Sequence, residues 1–211
     1  MIKNVIFDLG NVVYNYQPLD DLIKSGYSKE KAVYLLNSIF GNPLWKELDR
    51  GQYTVMEGAD KFCEMYPDIA DDIRKILTFE WLDKLMYIMQ STVEFVYDVK
   101  RRGYKIYVLS NFGLDSFDFI QKRDTAFFNE FDGIVVSSHE KLIKPDPRIY
   151  KRLLERYTLI PEECFFIDDT PENIEAAKML GMNGTVFTNI EDCTKEFDTL
   201  IEYLSNKGTA T

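Results

Sequence analysis

Short apolar runs recur along this chain, and each is followed by a longer stretch whose apolar residues return every three or four positions. The run at 2–8 (IKNVIFD) is brief, β-branched and aromatic, and 104–109, 133–137, 164–167 and 184–187 share that character. Such runs predict buried strands. Helical signals separate them, so the pattern predicts a parallel sheet flanked by helices, an α/β fold.

The helix punctuation is clear. Ser91-Thr92-Val93-Glu94 has the spacing of a capping box, Val93, Val96 and Val99 form one apolar face, and Gly103 stands where a left-handed stop is favoured. A helix is therefore expected over roughly 92–102. Asp146-Pro147 and Thr170-Pro171 each place an N-cap residue before a proline at the first helical position, and Gly181 closes the second of these helices. Residues 14–88 break the alternation. They hold helical spacings such as Ile69, Ile73, Ile76 and Leu77 but no convincing strand, and they leave directly after the first strand, where they could form a lid.

Composition narrows the class. The chain has 211 residues, 45% of them hydrophobic, ample for a buried core. Its apolar stretches are too short to cross a membrane and no signal-peptide pattern opens it, so the expectation is a cytoplasmic protein. Cys63, Cys164 and Cys193 are widely spaced, which favours neither a disulfide framework nor a zinc site. A net charge of −10 argues against sequence-independent nucleic-acid binding, which needs clustered cations. Lys100, Arg101 and Arg102 are better explained as complements to a helix C-terminus. The tail after Lys207 is expected to be disordered.

Ligands of parallel α/β sheets bind beyond the carboxyl ends of the strands. Four polar clusters fall there: Asp8, then Ser110-Asn111, then Lys144, then Asp168-Asp169. Their order and surroundings, FDLGNVV, YVLSN, IKPDP and FIDDT, resemble the four motifs of the haloacid dehalogenase superfamily over residues 2 to about 188. The branch most similar carries a helical cap after the first motif, and the DLGNV form is similar to bacterial sugar-phosphate phosphatases of the glucose 1-phosphate kind.

That resemblance implies a Rossmann-like core at 1–13 and 89–211 and a helical cap domain at 14–88. It implies a Mg²⁺-dependent phosphatase acting on a small phosphorylated metabolite, as a monomer or weak dimer. Asp8 would be the nucleophile. The Asp8 carboxylate, the Gly10 carbonyl, Asp168 and Asp169 would hold Mg²⁺, a hard ion that prefers oxygen. Ser110 and Asn111 would donate to the phosphoryl oxygens, and Lys144 would neutralise phosphate and carboxylates.

Position 10 departs from the pattern, because most phosphatases of the superfamily have there an aspartate that protonates the leaving group. A better leaving group, such as that of a sugar 1-phosphate or an acyl phosphate, could compensate. Alternatively the acid could come from the cap, where Tyr14, Tyr16, Asp20, Asp49 and Tyr53 are available and Trp45 or Arg50 could touch the substrate. His139, the only histidine, is expected at the surface. A 2-haloacid dehalogenase also lacks the second aspartate but has no use for the Asp168-Asp169 pair; a catalytically silent phosphometabolite binder is the remaining reading.

Overall fold

The computed structural model describes residues 1–208. Five parallel strands, β1 (Asn4–Phe7), β2 (Lys105–Ser110), β3 (Gly133–Val136), β4 (Cys164–Asp168) and β5 (Asn183–Val186), form one sheet in the order β3-β2-β1-β4-β5. Every predicted strand is present. β1 is central and buried on both faces, which is why its sequence is continuously apolar rather than alternating. Val5 and Phe7 point to one side of the sheet, Ile6 to the other.

Six α-helices lie between β1 and the next sheet-packed helix, α1 (Pro18–Lys24), α2 (Lys29–Leu35), α3 (Pro43–Asp49), α4 (Val55–Met65), α5 (Ala70–Ile76) and α6 (Phe79–Leu85), with a π-helical turn at Leu36–Phe40 and a 3-10 turn at Pro67–Ile69 among them. They enclose their own apolar cluster, with Leu22, Leu35, Ile39, Phe62 and Ile73 fully buried. Thr54 and Glu57 close a reciprocal capping box that starts α4. Together they form a helical cap. Its two connections to the sheet run side by side, since Tyr14 bridges to both Gly10 and Ile88, and Met89 donates to the Val13 carbonyl.

The helices that follow are α7 (Gln90–Arg101), α8 (Leu114–Arg123), α9 (Thr125–Phe128), α10 (Ser137–Glu140), α11 (Pro147–Tyr157), α12 (Pro171–Met179) and α13 (Ile190–Gly208). α7 differs from expectation at its start. Met89, not Ser91, is the N-cap, and no side chain caps it; the Met89–Val13 hydrogen bond fixes the chain direction two residues earlier than the Ser91–Glu94 pair would. Thr92 is consequently buried inside the first turn with an unpartnered hydroxyl. Gly103 and Gly181 both have φ of +90°, the left-handed stops expected. Asp146 caps α11 through the Arg148 amide, whereas Thr170 holds the N-cap position of α12 without making a side-chain cap.

The three cysteines are free. Among the described residues no helix is long and apolar enough to cross a membrane. Gly208 ends α13, and the rest of the tail expected to be disordered lies outside the described residues.

Candidate active site

The sheet register sets the site. Phe7 lies opposite Val108 on one side and Ile167 on the other, so the residues that follow, Asp8, Leu109 and Asp168, leave the sheet together at its carboxyl edge. Lys144, only 3% exposed, inserts its ammonium among them. Its Nζ lies 2.9 Å from Asp8 Oδ1 and 2.6 Å from Asp168 Oδ2, and donates to the Leu109 carbonyl at 3.0 Å. All three lysine donors are thus used. The Asn111 side chain fixes the lysine backbone from both ends, accepting from its N–H at 2.8 Å and donating to its carbonyl at 3.1 Å.

Asp168 and Asp169 each have a dedicated holder. Asn173, on the first turn of α12, donates to both oxygens of Asp168 at 2.9 and 3.1 Å, and the Thr170 amide adds a third bond at 2.9 Å. Asn11 donates to Asp169 Oδ2 at 3.0 Å while its carbonyl oxygen accepts from the Tyr16 amide and the Gln17 side chain. Asn11 does this in the left-handed region, at φ +55°. Asparagine tolerates that conformation better than most residues, and such strain collects at functional sites.

Burial raises the Asp8 carboxyl to about 7, with the charge on Asp168 adding to the rise and the Lys144 ammonium and the nearby Ser110 hydroxyl opposing it. Burial by itself would lower Lys144, but Asp8 and Asp168 outweigh it and raise its pKa, so the lysine stays charged. Asp8 is therefore poised near neutrality.

The donor set suits a hard cation. Ligand oxygens of Asp8, Asp168 and Asp169 lie within 4.8 Å of one another, and carboxylates alone make up the cluster. Ser110 Oγ is buried beside them without a hydrogen-bond partner of good geometry, which leaves a donor free for an incoming oxygen.

The haloacid dehalogenase-like hydrolase family matches residues 2–181 of this chain. The chain belongs to that family. The sesquiterpene phosphatase astK of Aspergillus oryzae is 26% identical over 89% of this chain and 90% of its own length. The D-ribitol-5-phosphate phosphatase of Bacteroides thetaiotaomicron is 25% identical over 95% of this chain and 99% of its own. A HAD family enzyme from the same bacterium, solved with magnesium and inorganic phosphate, superimposes with a TM-score of 0.66 at 23% identity over 89% of this chain and 95% of that one, a likeness of fold.

In this haloacid dehalogenase-like chain the cap closes over the sheet edge and leaves a cavity that reaches the site at Gly10 and Asn111. Ser137 ties the two layers, accepting from the Phe112 amide and donating to the Asp49 carbonyl at the end of α3. Lys141 adds a bond to the Gly51 carbonyl. Of the cap residues singled out by sequence, Tyr16, Trp45, Asp49 and Tyr53 line the cavity.

Tyr14 does not: it is packed in the core, its hydroxyl donating to Asp124. Asp20 and Arg50 also lie outside the lining, and Arg50 pairs with Glu47 at 3.5 Å. His139 is at the surface, its ring against Phe117. The sequence reading missed Asn11 and Asn173, although Asn173 stands five residues from the Asp168 it holds and Asn11 three residues after Asp8. It also missed Leu77, Phe79, Trp81 and Met86 as part of the cavity lining.

Proposed function

We propose that the chain is a Mg²⁺-dependent phosphatase that hydrolyses a small phosphorylated metabolite through an aspartyl-phosphate on Asp8. The observation that carries this reading is the buried Asp8–Lys144–Asp168 bridge with Asp169 beside it, an arrangement of fixed charge suited to a phosphoryl group. Asp8, Asp168, Asp169 and the Gly10 carbonyl would hold the cation. When bound, Mg²⁺ would offset the carboxylate charge and that of the phosphoryl oxygens. Asp8 attacks phosphorus, Ser110 and the free N–H of the Asn111 side chain donate to the phosphoryl oxygens, and Lys144 keeps Asp8 oriented. Water then cleaves the aspartyl-phosphate. In the same reading 14–88 acts as the cap domain over a core of 1–13 and 89–211.

The acid missing at Gly10 is assigned to Asp49. It lines the same cavity as Gly10, and burial together with the charge of Asp8 pushes its carboxyl up to about 7, against the pull of Lys144. An acid so poised can protonate a leaving alkoxide and afterwards accept a proton from water.

The DLGNV motif favours a sugar phosphate, and the two phosphatase relatives are named for a sesquiterpene and a sugar alcohol, so relationship alone leaves the ester group open. The net charge of −10 supports a small-molecule partner rather than nucleic acid. A haloacid dehalogenase reading is weakened by the cavity, whose lining contains no Lys, Arg or His to receive a carboxylate substrate. A phosphatase screen over acyl, sugar and alkyl phosphates, with Mg²⁺ and with chelator, tests the proposal. Turnover that needs Mg²⁺ supports it; halide release from a 2-haloacid in the presence of chelator overturns it.

A further inference from the structure

The cavity between cap and sheet has a volume of about 140 Å³ and opens to solvent at its mouth. Its walls are aromatic and aliphatic. Phe40 packs against Trp45 at 4.7 Å between ring centroids and stacks on Trp81 at 6.0 Å, and Leu48, Leu77 and Met86 continue the surface. Three polar side chains of the lining are already engaged: Asp115 accepts from the Val55 amide, Thr78 from the Trp81 amide, and Asn111 is bound to Lys144. Two buried atoms of the lining, Tyr16 Oη and Trp81 Nε1, have no partner.

That inventory discriminates among ester groups. A hexose phosphate would bring several hydroxyls against rings and methyls, and each left without a partner lowers binding roughly five- to a hundredfold. A second anionic group would meet the Asp49 and Asp115 side chains with no cation in the lining. An uncharged apolar chain meets neither obstacle, and its burial is favourable.

We infer that the substrate is the monophosphate of an apolar, uncharged alcohol, whose hydrocarbon lies against Phe40, Trp45, Leu77 and Trp81. This rests on the phosphatase reading and names the substrate class of that same site. An alcohol bearing one or two oxygens besides the ester could also answer Tyr16 and Trp81.

The test is a series of n-alkyl phosphates from ethyl to octyl with Mg²⁺, read as kcat/KM. Leaving-group acidity is nearly constant along the series, so its slope reports contact with the cavity. We expect a rise of two- to fourfold per methylene until the cavity fills, flattened by Trp81→Ala. Octyl phosphate should surpass glucose 1-phosphate and ribitol 5-phosphate, although glucose 1-phosphate has the better leaving group. A flat series, or sugar phosphates ahead of octyl phosphate, overturns the inference. Acetyl phosphate, with almost nothing to place in the cavity, reports the chemistry separately. Its Mg²⁺-dependent turnover beside a flat alkyl series removes the substrate class but keeps the phosphatase, and no turnover of any phosphate removes both.

Discussion

Replacing Lys144 with methionine keeps most of the apolar stem of the side chain and removes its terminal ammonium, with its charge and donors. The lysine side chain is 1% exposed and its ammonium contacts Asp8 and Asp168, themselves 11% and 0% exposed at the side chain, so solvent screens little of the interaction. Breaking one partner out of such a buried set costs about 3–5 kcal/mol, against a total stability of about 5–15 kcal/mol for a domain.

The sign with pH follows from Asp8. Its carboxyl is raised to about 7 in the folded protein from 3.8, with Lys144 holding it down. Without the lysine the folded value rises further. A carboxyl raised on folding contributes stability that is full below the unfolded pKa and is lost as pH climbs through the folded one. The Lys144→Met penalty in the metal-free protein should therefore be largest near pH 8 and shrink toward pH 5, where Asp8 protonates. Urea denaturation of both proteins at several pH values measures it. A loss equal at pH 5 and pH 8, or under about 1 kcal/mol at both, refutes the electrostatic account.

Other consequences can be checked with the same protein. Asp8→Asn should abolish turnover while leaving the fold intact by circular dichroism. Asp49→Asn should lower kcat on alkyl phosphates about 10²- to 10⁴-fold and on acetyl phosphate far less, since an acyl phosphate needs little leaving-group protonation. A Cβ at Gly10 meets nothing within 4 Å, so Gly10→Asp should fold and restore alkyl phosphate turnover to Asp49→Asn; failure of that rescue in a folded double variant counts against Asp49 as the acid. Because a carboxylate must be deprotonated to bind a cation, the Tm increase given by Mg²⁺ should grow from pH 5.5 to pH 8. An increase independent of pH contradicts the assignment of Asp8 as a ligand.

The sheet was legible because a central parallel strand must be apolar on both faces, and Ile6 and Phe7 bury on opposite sides. The site was legible for a related reason: strand ends place Asp8 and Asp168 level with each other and Ser110 one residue farther along its strand, so linear order maps onto space. Residues that act across elements left weaker traces. Asn11 and Asn173 look like ordinary turn and first-turn asparagines, and only the fold shows that they hold Asp169 and Asp168. The α7 start was misplaced because a tertiary bond from Met89 to Val13 overrode a sound local capping signal. The cavity was the least readable part, because Phe40, Trp45 and Trp81 belong to different helical segments and their spacing alone fits ordinary cap packing.

The central claim is that Asp8 carries the phosphoryl group. Its most direct test is to mix the protein with acetyl phosphate and Mg²⁺, quench in acid during turnover, reduce with borohydride and sequence the peptides by mass spectrometry. Reduction of an aspartyl-phosphate converts that aspartate to homoserine. Homoserine at position 8, absent when Mg²⁺ is chelated, is the predicted result; turnover with Asp8 unmodified and another residue reduced in its place would contradict the account.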